Sequence, residues 1–155
     1  MCFTSKEHFD KFVDELQKEI VNNEIKDFNE YIVELFHCPK NWGKPPVEDV
    51  SVSEKYKGSC GDTIEFFLKI ENDVIQKANF YTDGCGATVA AGSQMTLLVE
   101  GKTIDFAKTI QPRDLDIALK GLPEDHKHCA ELSVNAIKKA IEKYKMKIQE
   151  DLNID

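Results

Sequence analysis

The sequence predicts an α+β fold with one sheet and helices packed against it. Three stretches of alternating apolar and polar residues lie close together between residues 50 and 82, and segments with apolar residues at helical spacing precede and follow them. Strands gathered in the middle of a chain, with helices on either side, are typical of a layered α+β domain. The 155 residues contain no repeat or linker, so we expect a single domain over residues 1–155 with its own core.

Two helices are predicted before the sheet. Residues 5–21 carry apolar side chains at helical spacing, with Ser5 as a candidate N-cap, and Asn22 and Asn23 are expected to break the helix. A second helix follows from about Ile25. It ends at the segment 38–46, "CPKNWGKPP", whose three prolines and one glycine exclude a helix.

The remaining elements follow the changes of hydrophobic period. Three strands are predicted at 50–57, 62–71 and 74–82, and the turn "END" joins the last two into an antiparallel hairpin. Four helices follow: 86–100 with Gly101 as the stop, 103–109, 113–120, and a long last helix capped by Asp125.

Composition and charge exclude two classes of partner. A formal net charge of −8 opposes binding to nucleic acid, which depends on Lys and Arg side chains that neutralise phosphates. No apolar stretch approaches the ~20 residues that a membrane helix needs, and the start "MCFTSKEHFDKF" has no apolar signal core. We therefore expect a cytoplasmic protein with no nucleic-acid or membrane partner. The odd number of cysteines, five, favours metal-binding or reactive thiols over a disulfide framework.

Three cysteines lie where predicted elements meet. Cys60 is in the loop "KGSCGD" before a strand, Cys85 is in "DGCGA" between a strand and a helix, and Cys129 is in "HKHCAEL" at the start of the last helix. Loop ends can bring distant ligands together, and helix N-termini favour the thiolate forms of Cys85 and Cys129. Any one of them could be a small buried apolar residue, but three flanked by Gly or His indicate a metal or sulfur site.

The motifs "GSCGD", "DGCGA" and "HCAEL", in that order, resemble those of the scaffold family for iron–sulfur cluster assembly, the IscU-type and NifU N-terminal domains. The similarity covers about residues 30–147 and includes "CPKNWG", which is similar to the family's Asn-Pro-x-Asn-x-Gly segment. The resemblance implies a three-stranded antiparallel sheet covered on one face by helices, with a long C-terminal helix. Residues 1–28 would then form an extra N-terminal helical extension, available to cover the core, the surface of a homodimer or a partner.

The resemblance also implies the site residues. Carried over one by one, they are Cys60, Asp62, Cys85, His128 and Cys129, with Cys129 as the acceptor of persulfide sulfur. A durable iron–sulfur cluster is usually held by four thiolates, whereas this set offers three thiolates, one imidazole and one carboxylate. Such a set would hold a [2Fe–2S] cluster transiently, and Asp62 is an oxygen donor that iron can take up and release. The same donors suit a tetrahedral Zn²⁺ site, so zinc could occupy it in purified protein.

The segment "LPEDHKHC" departs from the family pattern. The IscU branch carries a chaperone-binding segment, Leu-Pro-Pro-Val-Lys; here Leu122 and Pro123 remain, and His126 stands at the Lys position. Recognition by a dedicated Hsp70-type chaperone is therefore doubtful. We expect His126 to be a solvated histidine in the first turn of the last helix, with a spare metal ligand as the alternative.

Together these features predict a scaffold rather than an enzyme. It would take sulfur from a cysteine desulfurase, bind iron, assemble the cluster and pass it to apo iron–sulfur acceptor proteins. The alternative is a zinc-binding sulfur carrier that accepts persulfide from the desulfurase, although the chain lacks the insertion between Cys85 and Cys129 that the zinc-dependent branch carries. A third interpretation is a thiol enzyme with Cys129 as nucleophile and His128 as base. Adjacent residues on a helix do not face each other, which weighs against it.

Overall fold

The structure, a computed structural model, describes residues 11–153 as one sheet with helices on one face. The strands are β1 (Val52–Lys57), β2 (Thr63–Glu71) and β3 (Val74–Thr82), and the helices are α1 (Lys11–Asp27), α2 (Glu30–His37), α3 (Gly86–Val99), α4 (Ile104–Thr109), α5 (Pro112–Ala118) and α6 (His128–Asn153). Two 3₁₀ turns, Val47–Asp49 and Glu124–His126, precede β1 and α6. The predicted α+β fold, with its long C-terminal helix and additional N-terminal helix, is confirmed.

The sheet is a simple antiparallel meander in the order β1-β2-β3. The central strand β2 pairs with both neighbours, so that Ile64 lies opposite Tyr56 on one side and Thr82 on the other. The turn between β2 and β3 is made by Asn72 and Asp73, whose φ values are 53° and 62°. Asn and Asp tolerate this left-handed conformation better than other residues with a side chain, which explains the sharp turn at "END".

One face of the sheet is apolar and carries the core. Alternate residues of β2 are almost fully buried, and the helices that cover them are α3 and α6. The largest fully buried side chains from both layers include Ile64, Phe66, Leu68, Phe80, Met95, Ile137 and Ile141. Helix α3 approaches the sheet closely at Gly92, where an added Cβ would lie 2.5 Å from the Phe80 ring and 3.0 Å from Ile64. The close approach fixes α3, and with it the loop that precedes α3.

Three predicted helix boundaries are wrong, including the start of the second helix near Ile25, a residue that lies inside α1. Helix α1 runs through Asn22 and Asn23 to Asp27, and the break comes at Asn29, whose side chain accepts a hydrogen bond from Ile32 N at 2.9 Å and caps α2. Asn has only a modest cost inside a helix, so two of them need not end one. Asp125 does not cap α6, because it lies inside the 3₁₀ turn that precedes the helix. The predicted cap at Ser5 lies outside the described residues.

The outer edge of β3 is paired with other parts of the chain. Phe80 N donates to Asn41 O and Gly43 N donates to Phe80 O, at 3.0 and 2.8 Å. Farther along the strand, Ile75 N donates to Lys102 O and Gly101 N donates to Ile75 O, both at 2.8 Å. Across residues 11–153, none of the helices combines the length and the apolar character that crossing a bilayer requires.

Candidate metal centre

The structure brings all five predicted site residues together at one end of the sheet. Their ligand atoms fall into two groups, and within each group all of these atoms lie within 4.8 Å of one another. One group contains Cys60, Asp62 and His128. The other contains Cys85 and Cys129 together with a residue that was not among the five, His126. The groups are neighbours, since Cys129 Sγ lies 3.7 Å from His128 Nε2.

The loop that carries Cys60 is a tight turn between β1 and β2. Gly58 N donates to Asp62 O at 2.9 Å, and Gly61 adopts a φ of +91°, which few residues with a side chain can adopt. A Cβ on Gly58 would lie 2.8 Å from Leu132 Cδ1 of α6. The absence of a side chain at Gly58 therefore lets the turn lie against α6 and places Cys60 beside His128.

Cys85 is the N-cap residue of α3, and it is an exposed residue. A hydrogen bond from the Cys129 thiol, supported by Thr88 and by backbone N–H groups of the first turn, lowers the pKa of Cys85 to about 4 even though partial burial acts in the opposite direction. The predicted preference for a thiolate at this helix N-terminus agrees with that shift. The Cys85 sulfur is therefore held as a thiolate at neutral pH.

Cys129 behaves in the opposite way. It is fully buried, and the hydrogen bond to Cys85, together with burial, raises the pKa of its thiol. The prediction that the helix N-terminus would make Cys129 a thiolate is therefore wrong for the metal-free chain, because only one of two adjacent sulfurs can readily carry the charge. The contact with His128 Nε2 also corrects the argument that adjacent residues on the helix cannot meet. The buried, protonated thiol is nevertheless a poor nucleophile, which weighs against the thiol-enzyme interpretation.

Thr88 connects the two sulfurs and was not predicted. Its hydroxyl, buried inside α3, donates to Cys129 Sγ at 3.4 Å and lies 3.7 Å from Cys85 Sγ. The spacing could have revealed it, because residues i and i+3 share a helix face and Thr88 is three residues after Cys85. The buried hydroxyl of Thr88 therefore contacts both sulfurs and helps to hold them next to each other.

The expectation that His126 is a solvated histidine of the first helical turn is wrong. It ends the 3₁₀ turn before α6, its side chain is only 29% exposed, and its Nδ1 atom is buried with no hydrogen-bond partner among the described residues. The sequence held a signal for this as well, since His126 and Cys129 are separated by three residues and can lie on one face of a helical turn.

An ion pair fixes the segment that carries His126. Lys127 Nζ lies 2.8 Å from Asp116 Oδ2, and Asp116 Oδ1 accepts a hydrogen bond from Leu122 N at 2.7 Å. Partial burial raises the pKa of Asp116, but the hydrogen bonds from Lys127 and Leu122 outweigh it and leave the pKa below its ordinary value. Lys127 is thus directed toward α5. Of the two histidines beside it, His126 belongs to the group of Cys85 and Cys129, and His128 belongs to the group of Cys60 and Asp62.

The donor set suits iron and other divalent transition metals. It consists of three thiols, two imidazoles and one carboxylate, and thiolate and imidazole are the ligands that iron and zinc prefer. The remaining His-Cys pair of the chain, His37–Cys38, closes α2 and belongs to neither group. The geometry therefore suits two adjacent metal positions, one with the thiol of Cys60 and the other with those of Cys85 and Cys129.

Comparisons with known proteins identify relatives of this chain. The family described as NifU-like N terminal domain matches residues 27–151. The "Iron-sulfur cluster assembly protein IscU" of Plasmodium falciparum (isolate 3D7) is 39% identical over 81% of this chain and 78% of its own length. The "Iron-sulfur cluster assembly scaffold protein IscU" of Aquifex aeolicus (strain VF5) is 36% identical over 78% of each chain.

The fold has a counterpart among solved structures. The N-terminal NifU-like protein from Brucella abortus superimposes with a TM-score of 0.64, covers 82% of this chain and 99% of its own, and is 18% identical in sequence. At that identity the similarity concerns the fold alone, and it is the sequence matches that show the relationship. The chain belongs to the NifU-like N-terminal domain family, which includes the IscU-type proteins.

Proposed function

We propose that this protein is a scaffold on which a labile [2Fe–2S] cluster is assembled and from which it is transferred to apo-acceptor proteins. The observation that carries the proposal is the pair of adjacent three-donor groups with only three thiols between them. Two irons bridged by sulfide need two neighbouring metal positions, and four thiolates are usual where the cluster is retained. The names of the Plasmodium and Aquifex relatives, which describe cluster assembly and a scaffold, support the same role.

The chemistry requires three inputs besides the protein. A cysteine desulfurase would deliver each sulfur as a persulfide, through attack of a site thiolate on the terminal sulfur and release of the desulfurase thiolate. Reducing two such sulfurs to sulfide takes four electrons. Two come from the oxidation of two Fe²⁺ to Fe³⁺, and an external reductant supplies the other two. Apo iron–sulfur proteins with a full set of thiolates would then take up the finished cluster.

The identity of the sulfur acceptor is a separate question. Cys129 is the acceptor implied by the family resemblance, and this assignment stays a prediction. Cys129 is fully buried and the pKa of its thiol is raised, so it must be uncovered and deprotonated before it can attack a persulfide. Cys85 is exposed and anionic, and it is the more accessible nucleophile. Mass spectrometry of the chain after reaction with a desulfurase and cysteine, in the Cys85→Ser and Cys129→Ser variants, identifies which thiol carries the added sulfur.

Anaerobic reconstitution with Fe²⁺, sulfide and a thiol reductant tests the proposal. The reduced chain should gain visible absorption and should bind iron and sulfide in equal amounts. It should then lose both to an apo-ferredoxin. Substituting Ser for Cys60, Cys85 or Cys129 singly should remove or severely weaken assembly, because each loss leaves too few soft donors for a bridged cluster. Cys38→Ala, compared in the same reducing conditions and with its fold verified by circular dichroism, is the control, since Cys38 belongs to neither group found among residues 11–153.

Two results would overturn the proposal. Normal reconstitution in any two of the three Ser variants would show that the thiols do not share a site. A chain that retains zinc but acquires neither iron nor sulfide would instead favour the zinc-binding sulfur carrier, because the same donors can make a closed tetrahedral zinc site.

A further inference from the structure

We infer that Cys85, His126 and Cys129 form a metal site of their own, a Cys₂His site for one divalent transition metal, in which His126 is an additional ligand. This site would be occupied independently of the neighbouring group of Cys60, Asp62 and His128. The inference rests on the proposed function only in taking Fe²⁺ as the natural occupant. The ability to bind a metal follows from the donor atoms themselves.

The spacing of the donor atoms is close to what one metal ion requires. With metal–sulfur bonds of about 2.3 Å and metal–nitrogen bonds of about 2.0 Å, tetrahedral ligand atoms are separated by roughly 3.3–3.8 Å. The ligand atoms of Cys85, His126 and Cys129 all lie within 4.8 Å of one another. Side-chain movements of about 1 Å would therefore complete the coordination, and the fourth position would remain open to water or to a bridging sulfide.

The surroundings of His126 divide the roles of its two ring nitrogens. Nε2 lies 3.9 Å from Asp125 Oδ2, whereas Nδ1 is buried and has no hydrogen-bond partner among the described residues. Leaving a buried polar atom without a partner costs free energy, which a metal bond would recover. Histidine ligands commonly direct one nitrogen to the metal and the other to a carboxylate that fixes the ring. At 3.9 Å the Asp125 carboxylate is beyond hydrogen-bond distance and acts on Nε2 only through its charge, and the buried Nδ1 is the nitrogen left for the metal.

The ring of His126 is held in place from two sides. It packs on Phe28 with a centroid distance of 5.1 Å, and it stacks with His128 at 6.3 Å. Phe28 is itself fixed by its neighbour Asn29, whose amide donates to Leu119 O at 2.9 Å and Gly121 O at 3.2 Å. A preorganised ring loses less conformational entropy when it binds a metal, so His126 fits a ligand role better than an accidental neighbour would.

Anaerobic titration with Co²⁺ tests the inference without cluster assembly. The experiment starts from the full chain carrying Cys60→Ser and His128→Gln, called the background variant, which disables the other group. This variant should still bind one Co²⁺ per chain, with thiolate charge-transfer absorption and the d–d bands of a tetrahedral ion. Adding His126→Gln should weaken Co²⁺ binding by about tenfold or more, since loss of even an outer-shell partner costs about 10–100-fold.

A second substitution gives a positive signal. With His126→Cys in the background variant, a third thiolate should join the metal, and the charge-transfer absorbance per bound Co²⁺ should rise by about half. His37→Gln in the same background is the matched control, because His37 lies on α2 outside both groups, and it should leave Co²⁺ affinity unchanged. Circular dichroism of each variant verifies the fold.

The inference is overturned if the background variant binds no Co²⁺, or if His126→Gln leaves the affinity unaltered while His126→Cys leaves the spectrum unaltered. Reconstitution of the unmodified chain with iron and sulfide is a separate readout. Failure of that reconstitution with His126-dependent Co²⁺ binding intact would contradict the scaffold proposal and leave the Cys₂His site standing.

Discussion

Replacing Cys129 with alanine should make Cys85 a weaker acid. The hydrogen bond from the Cys129 thiol is the largest cause of the depressed Cys85 pKa, which is about 4. A hydrogen bond to a charged group contributes about 1.5–3 kcal/mol, and one pKa unit corresponds to about 1.4 kcal/mol. Because the Cys85 sulfur is exposed and water screens the interaction, the lower end applies. The pKa should therefore rise by about one unit.

The rate of alkylation by iodoacetamide, measured as a function of pH on metal-free reduced protein, reports this pKa. Peptide mass spectrometry isolates the modification of Cys85 from that of the other cysteines. In Cys129→Ala the midpoint of the pH profile should move up by about one unit. The plateau rate at higher pH should increase about threefold, because a more basic thiolate is a better nucleophile, with a Brønsted coefficient of about 0.4–0.5.

Cys129→Ser is the informative control. Its hydroxyl can still donate to the Cys85 thiolate, so its midpoint should lie between those of the unmodified chain and Cys129→Ala. An unchanged midpoint in Cys129→Ala, with the fold intact by circular dichroism, would refute the reasoning that the buried thiol stabilises the exposed thiolate.

Three further predictions concern cluster release and stability. Asp62→Ala should slow transfer of an assembled cluster to an apo-ferredoxin, because a carboxylate exchanges on iron more readily than a thiolate; faster loss would mean that Asp62 retains the cluster. Gly92→Ala should lower the free energy of unfolding in urea by about 1–2 kcal/mol. The added Cβ would overlap the Phe80 ring, and the cost of this overlap exceeds the gain in helix propensity. Combining it with Phe80→Leu should reduce this loss. Lys127→Met should cost about 0.5–1 kcal/mol at pH 7, a value that allows for the partial exposure of the pair with Asp116. Because the folded-state pKa of Asp116 is depressed, its contribution is present above the ordinary carboxyl pKa and is lost as pH falls through the folded-state value, so urea melts of the two proteins should converge in acid.

The sequence predicted the sheet better than the helix boundaries. The alternation in β2 and β3 is strong because one face of each strand is buried, and the predicted strand limits agree with the observed ones to within two residues. The break expected at Asn22 and Asn23 failed because local propensity differs little between Asn and other polar residues in a helix. The cap expected at Asp125 failed because a 3₁₀ turn and an α-helical turn have similar sequence signals.

The sequence predicted which five residues lie together at the candidate site, but not that their ligand atoms form two separate groups. Motifs around Cys60, Cys85 and Cys129 indicate the candidate ligands that the structure brings together, whereas the separation into two groups depends on how three loop ends pack together. The sequence favours a solvated His126 and leaves the ligand role as the alternative, because a charged segment is usually exposed to water. The tertiary contact with Phe28 that orients its ring joins residues far apart in the sequence. The cytoplasmic location, the homodimer and the partner-docking role of residues 1–28 stay predictions.

The pairing along β3 has a consequence for how other proteins can bind. Many peptides bind by adding a strand to an exposed sheet edge, where unpaired backbone groups serve as a template. On the β3 side the backbone groups of Phe80 are already bonded to Asn41 and Gly43, and those of Ile75 to residues 101–102. An incoming strand would have to displace both segments before it could form its first hydrogen bonds. Proteins that bind on this side of the molecule should therefore recognise it through side chains and surface shape, and extension of the sheet into filaments from this edge is disfavoured.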